Sequence, residues 1–339
     1  MLLNTLQTKR LYRYACQHQV GIIAVNADGD SLIHDALLAA RAADAPVIIE
    51  TSLWQLQGKC FGYGDALLGL KKYITDVALM ASHEAFVNVP VVFHIDHIPA
   101  NQAVEILSKA IAGLSYRVWD QQITVYPSSI SFDASGLCDA DNIQCVRSVS
   151  RLAAGLGVPL SFEVEPGIED EPTRPPEAVA MLCAIEDDTP GVVDLFAPAV
   201  GTVHGQTARG ENVTFNAGLV GEVAAALRDA LGRPIGLALH GSSGLSDAQL
   251  AASVQNGVIK INTCTMLLGA RARAMHAYLT EHFAEIQEGH KAMKETSKDT
   301  TLDSAVSKVM VPILVDRMTV SQSAGHGKKA MDYILSGER

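Results

Sequence analysis

The sequence predicts an α/β fold in which eight parallel strands, each followed by a helix, close into a (β/α)8 TIM barrel with additional C-terminal helices. Three observations carry this prediction. Short apolar, β-branched runs recur along the chain, stretches with helical spacing separate them, and each run finishes in polar or ionisable side chains. The runs are 20–27 (VGIIAVNA), 45–52 (APVIIETS), 89–97 (VPVVFHIDH), 128–135 (SSISFDAS), 159–165 (PLSFEVE), 193–201 (VDLFAPAVG), 234–241 (PIGLALHG) and 259–265 (IKINTCT). Segments such as SLIHDALLAARAAD and NQAVEILSKAIAGL lie between them, with apolar positions spaced as a helix packed on a sheet requires. Alternating strands and helices imply parallel pairing with right-handed crossovers, and eight such units close most simply into a barrel. The alternative, an open doubly wound sheet, lacks a GxGxxG segment after its first strand.

One domain over 1–339 is expected, with the barrel at about 20–288 and C-terminal helices at about 289–339. Beyond residue 265 the periodicity gives helices at roughly 266–288, 303–316 and 322–335, and KETSKDTT reads as an exposed loop.

The 339 residues carry 19% charged and 48% hydrophobic side chains, a balance that buries a core and excludes disorder. A net charge of −11 offers no basic field for nucleic acid or anionic membrane. The six cysteines are scattered with no CxxC pair, as in a reduced, cytoplasmic protein. The first residues have charges where a signal peptide would be apolar, and no run approaches the length of a membrane span.

The polar strand ends carry the functional reading. Asn26, Thr51–Ser52, His94/Asp96/His97, Asp133/Ser135, Glu163/Glu165, His204, His240 and Asn262/Thr265 close successive runs. In a barrel these ends and the following loops converge on one face, where active sites lie. A lone histidine there would most simply bond a backbone carbonyl. Three of them, His97, His204 and His240, with Glu165 nearby, instead match an open catalytic zinc site with three protein ligands. His94 shares a strand side with Asp96 and reads as a supporting residue.

Such a centre suits aldol cleavage, where a metal acts as Lewis acid on an enediolate. Asp96, beside His97, either moves the hydroxyl proton or orients the histidine. Lys260 falls near the start of the eighth strand, at the wrong end for an imine-forming nucleophile. The segments GTVHG (201–205) and HGSSG (240–244) can present backbone amides to a phosphate, supported by Asn262 and Thr265 on the next strand.

These residues together resemble the class II, metal-dependent ketose-bisphosphate aldolases, which include fructose- and tagatose-bisphosphate aldolases. HIDH resembles the family's HxDH, SFDAS its IDxS, FEVEPG its ExELG, AVGTVHG its IGTxHG, LALHGSSG its LxLHGxSG and KINTCT its KxNxxT. The resemblance implies Asp96 as proton donor to the aldehyde oxygen and His97, His204 and His240 as ligands of one catalytic zinc. Glu165 and Asp133 would serve alternative positions, or a second divalent or monovalent cation. Gly205, Gly241, Ser243 and Thr265 would hold the phosphate of dihydroxyacetone phosphate, with Asn262 on its hydroxyls. Asn26 and Ser52 match active-site positions of the first two strands, and Glu169 matches a loop glutamate that moves the carbon-bound proton.

The sequence departs from the family in three places. The stretch between ELG and ED shrinks to PGIED, and Ala208 stands where many members have lysine, with Arg209 beside it as a substitute anchor. The C-terminal region has no clear match to the arginine on a second phosphate. The expected activity is therefore a cytoplasmic lyase of carbohydrate metabolism, glycolysis included, that acts on a sugar phosphate. Paired subunits, a homodimer or homotetramer, would meet through the helices after 266. Two alternatives keep the fold: action on a different or unphosphorylated carbonyl compound, or a non-catalytic aldolase-like subunit.

Overall fold

The computed structural model describes residues 1–166, 171–203, 205 and 214–337. Among the described residues there are ten strands: β1 (Ile22–Asn26), β2 (Val47–Thr51), β3 (Val91–Ile95), β4 (Leu114–Val118), β5 (Gln121–Val125), β6 (Ser129–Ile130), β7 (Phe162–Val164), β8 (Val193–Phe196), β9 (Gly236–Leu239) and β10 (Val258–Thr263). Eight of them close a parallel barrel in the order β1-β10-β9-β8-β7-β6-β3-β2. Every predicted run supplies one barrel strand. Each strand is shorter than its run: Asn26, Thr51, His94, Glu163 and Asn262 stay within the strands, while Asp96, His97, Asp133, Glu165, His240 and Thr265 fall beyond their ends.

The interior is layered. At the bottom, Ile22, Ile48, Val92, Leu195 and Ile259 form an apolar plug with Leu11, Tyr12 and Ala15 of the helix Thr5–His18. That helix starts in a capping box between Asn4 and Gln7 and seals the end of the barrel opposite the polar strand ends. Outward-facing residues such as Ile23, Val25, Ile49, Phe93 and Ile95 pack the barrel against its helices.

Above the plug the interior turns polar. Glu50 pairs with His94 in the β2–β3 register, and Lys260 of β10 lies opposite Ile22 of β1. A register shift between Val258 and Lys260 marks a β-bulge, which lets Ile259 join the inner plug while Lys260 also turns inward. Gly236 on β9 makes this feasible: a Cβ there would stand 2.2 Å from Ile259 Cδ1.

Two elements depart from expectation. The segment between helix Ala100–Ala112 and β6 forms an antiparallel hairpin, β4–β5, outside the barrel, with Trp119 at its tip in a left-handed conformation (φ 54°). The C-terminal helices run Thr265–Glu281, Met293–Thr296, Asp299–Val320 and Gly327–Ser336. KETSKDTT is mostly exposed as expected, yet it is helical except at Ser297 and Lys298.

Candidate active site

Strands β3, β7 and β9 alternate with β6 and β8 around the barrel, and the residues at or just beyond their ends meet at its top. Asp96, His97, Glu165 and His240 each offer a ligand atom, all within 4.8 Å of one another. The His97 ring lies between two carboxylates, with Nε2 3.6 Å from Asp96 and Nδ1 3.7 Å from Glu165. His240 faces His97 edge-on, with ring centroids 4.9 Å apart, and its Nε2 meets Glu163 Oε1 at 2.9 Å. The Ser131 hydroxyl donates to Glu165 Oε1 at 2.8 Å and sets that carboxylate.

Below this group lies a fully buried ionic layer. The Lys260 ammonium is 3.0 Å from Glu50 Oε2 and 2.9 Å from Glu163 Oε2, and it donates to Asn262 Oδ1 at 2.7 Å. His94 bonds Ser129 Oγ through Nδ1 at 2.8 Å and faces Glu163 through Nε2 at 3.5 Å. Buried charges survive only with partners, and these interlock across four strands.

The carboxylates give the site its electrostatic character. Burial pushes His240 down, but Glu165, Glu163 and Asp96 outweigh it and raise the ring to about 9. His97 is likewise raised against its burial, by Asp96 and Glu165. His94 has no such surplus; burial and the Lys260 charge hold it down at about 3, so it is neutral. Burial is opposed at Asp96 by His97 and Lys260, which keep it well below the usual carboxylate range. Burial and the neighbouring Asp96 push Glu50 up to about 8 even beside Lys260. The upper cluster thus attracts positive charge, and its imidazole and carboxylate donors are those a borderline divalent cation takes.

The remaining predicted residues divide clearly. Asn26 and Asn262 both reach Asp96, at 3.4 Å and 3.2 Å. Ser52 is buried at the end of β2 and opens the short helix Leu53–Leu56. Gly241 adopts φ 65°, and a Cβ there would press on Val203 and Thr202, so the turn needs glycine. Ser243 Oγ accepts from the Met266 amide at 3.3 Å, joining the HGSSG turn to the next helix. Thr265 is not on the strand as expected; it is the first residue of the helix Thr265–Glu281. Gly205 is exposed with φ 80°. Asp133 stands outside the four-residue cluster, its Oδ1 taking both the amide and the hydroxyl of Ser135 (2.9 and 2.6 Å). Glu169, His204 and Arg209 lie outside the described residues. Lys260 requires a correction: it is in the barrel interior under Asp96, not at the far end.

The family model for class-II fructose-bisphosphate aldolases matches residues 6–326. The chain belongs to this family. It is a class II aldolase, a carbon–carbon lyase of a metal-dependent family. A fructose-bisphosphate aldolase of Streptococcus pneumoniae is 30% identical over 268 residues, covering 77% of this chain and 78% of that protein. One from Ureaplasma parvum is 25% identical over 284 residues, covering 81% and 84%. The crystal structure of a fructose-bisphosphate aldolase from Campylobacter jejuni superposes with a TM-score of 0.79 at 23% identity, covering 95% of this chain and 96% of that one.

The aldolase fold places a cavity of about 480 Å³ over Glu165 and His240, walled by Ala197, Thr202, Val203 and Thr214. Among the described residues no helix is long and apolar enough to cross a membrane, and all six cysteines are free thiols.

Proposed function

We propose that this aldolase cleaves, and in reverse forms, the carbon–carbon bond joining the two halves of a ketose bisphosphate, releasing dihydroxyacetone phosphate and an aldehyde. The observation that carries the reading is the convergence of Asp96, His97, Glu165 and His240, of which Glu165 and His240 line one cavity. His97 and His240, together with His204, would hold a zinc ion, with Glu165 as a further donor. When bound, the metal polarises the ketone and stabilises the negative charge that develops beside it.

The protein's own groups do the rest. Asn26 and Asn262 donate to Asp96 in the resting site, and they would receive the substrate's hydroxyls. In cleavage Asp96, held as an anion, takes the hydroxyl proton as the carbon–carbon bond breaks; in synthesis it returns that proton to the aldehyde oxygen. The HGSSG turn, braced by Ser242 on the Asn262 carbonyl and by Ser243 on Met266, presents Gly241 to a phosphate beside the start of the helix at Thr265. Gly205 and Arg209 would complete the phosphate site, and Glu169 would exchange the carbon-bound proton. The reduced thiols fit a cytoplasmic enzyme, and a homodimer or homotetramer is the proposed assembly.

The test is direct. The zinc-loaded protein is given fructose bisphosphate, tagatose bisphosphate and unphosphorylated fructose, and triose phosphate release is followed by a coupled assay. Release from one bisphosphate, stopped by chelator, is expected; none from either would sink the reading.

The raised histidines give a second expectation. Without metal, protons on His97 and His240 supply the positive charge the carboxylates draw in, and a metal must displace them. Because His240 stays protonated up to about 9, metal affinity should climb with pH through neutrality to that value, with proton release. Calorimetry in buffers of different ionisation enthalpy measures this release. Affinity that levels off above the ordinary histidine range of about 6.5 would contradict it.

A further inference from the structure

At the centre of the polar interior the Lys260 ammonium donates to Glu163 Oε1 at 3.1 Å and to Asn262 Oδ1 at 2.7 Å, and it is ion-paired with Glu50 Oε2 at 3.0 Å. It is fully buried and does not line the cavity over Glu165 and His240. What it controls is the direction of the Asn262 amide. An ammonium has only donors, so the amide oxygen must face Lys260; a carboxylate has only acceptors, so the amide NH2 must face Asp96. The two contacts, 2.7 Å and 3.2 Å, agree on one orientation. Turning the amide over would set oxygen against carboxylate and NH2 against ammonium. The bulge at Val258–Lys260 brings the lysine inward, on the same face of β10 as Asn262, and Glu50 and Glu163 hold it from opposite sides of the barrel.

We propose that Lys260 is a positioning residue of the aldol reaction: it fixes the Asn262 amide with its NH2 on Asp96, and so sets the geometry in which Asp96 exchanges the substrate's proton. This rests on the aldolase reading with Asp96 as the proton-transfer group.

Removing Lys260 alone would strand Glu50 and Glu163, so the test is made in a Glu50→Gln background. There Lys260→Met should lower kcat about tenfold, equivalent to one misplaced transition-state contact. KM and metal content should stay unchanged. If Lys260 acts through Asn262, the same replacement made on top of Asn262→Ala should cost little more. A second full tenfold loss in that background would overturn the proposal, since Lys260 would then act by another route. A wild-type, metal-loaded crystal at atomic resolution gives a readout that does not depend on the variants folding. The carbon–oxygen and carbon–nitrogen bond lengths of Asn262 must place oxygen toward Lys260, and the reverse assignment overturns the idea. Wild-type protein that cleaves no ketose bisphosphate would sink the aldolase reading and leave this amide assignment to be judged separately.

Discussion

Asp96→Asn should keep the metal and lose turnover, with kcat falling roughly 10²–10⁴-fold, the usual contribution of a positioned general acid or base. The side chain is fully buried just past β3, held by Asn26 and Asn262 and flanked by His97 at 3.6 Å and Lys260 at 3.7 Å. These partners keep it ionised in spite of its burial. An ionised carboxylate is the form that can accept the hydroxyl proton in cleavage. Asparagine has nearly the same shape, so the pocket and the neighbouring histidine survive, but it cannot take up that proton. Elemental analysis and steady-state kinetics on the same preparation check both halves. An Asn variant within tenfold of wild type would reduce Asp96 to orienting His97.

The second large effect belongs to His240 and the carboxylate behind it. His240→Ala should lose bound metal and turnover together, because it removes one of the three imidazoles proposed to hold the ion. Glu163→Gln should act more gently. Glu163 holds His240 through Nε2 at 2.9 Å, which assigns ligation to Nδ1 and makes the ring more basic. Neutralising that carboxylate should weaken metal affinity about 10–100-fold while leaving a saturable site. Competition against a chromophoric chelator measures both variants. Unchanged affinity in Glu163→Gln would mean that the carboxylate serves Lys260 alone.

Much of this arrangement was legible in the sequence, for a physical reason. A barrel strand buried on both faces reads as a short apolar run, and a polar residue at the end of such a run marks where the chain leaves the core. That logic located all eight strands and brought His97, His240, Glu165 and Asp96 to one face. It failed one layer deeper. Glu50, His94, Glu163 and Lys260 sit inside the barrel as a mutually compensating network, and a linear reading sees each as an isolated polar residue. Lys260 was assigned to the far end because it stands second in the run 259–265, yet the strand begins earlier, at Val258, and the long side chain carries its ammonium to 3.7 Å from Asp96. The β4–β5 hairpin escaped notice although Tyr116, Val118, Ile123 and Val125 alternate as strand residues should. Thr265 was read into the strand because KINTCT runs without a break into the helix it begins.

The proposed divalent ion would sit among His97, His240 and Glu165, next to Asp96. This placement is tested most directly by anomalous diffraction across the zinc edge from crystals of zinc-loaded, active enzyme. A single strong peak is expected in direct contact with the rings of His97 and His240. A peak elsewhere in the barrel, or full turnover in crystals with no peak there, would contradict it.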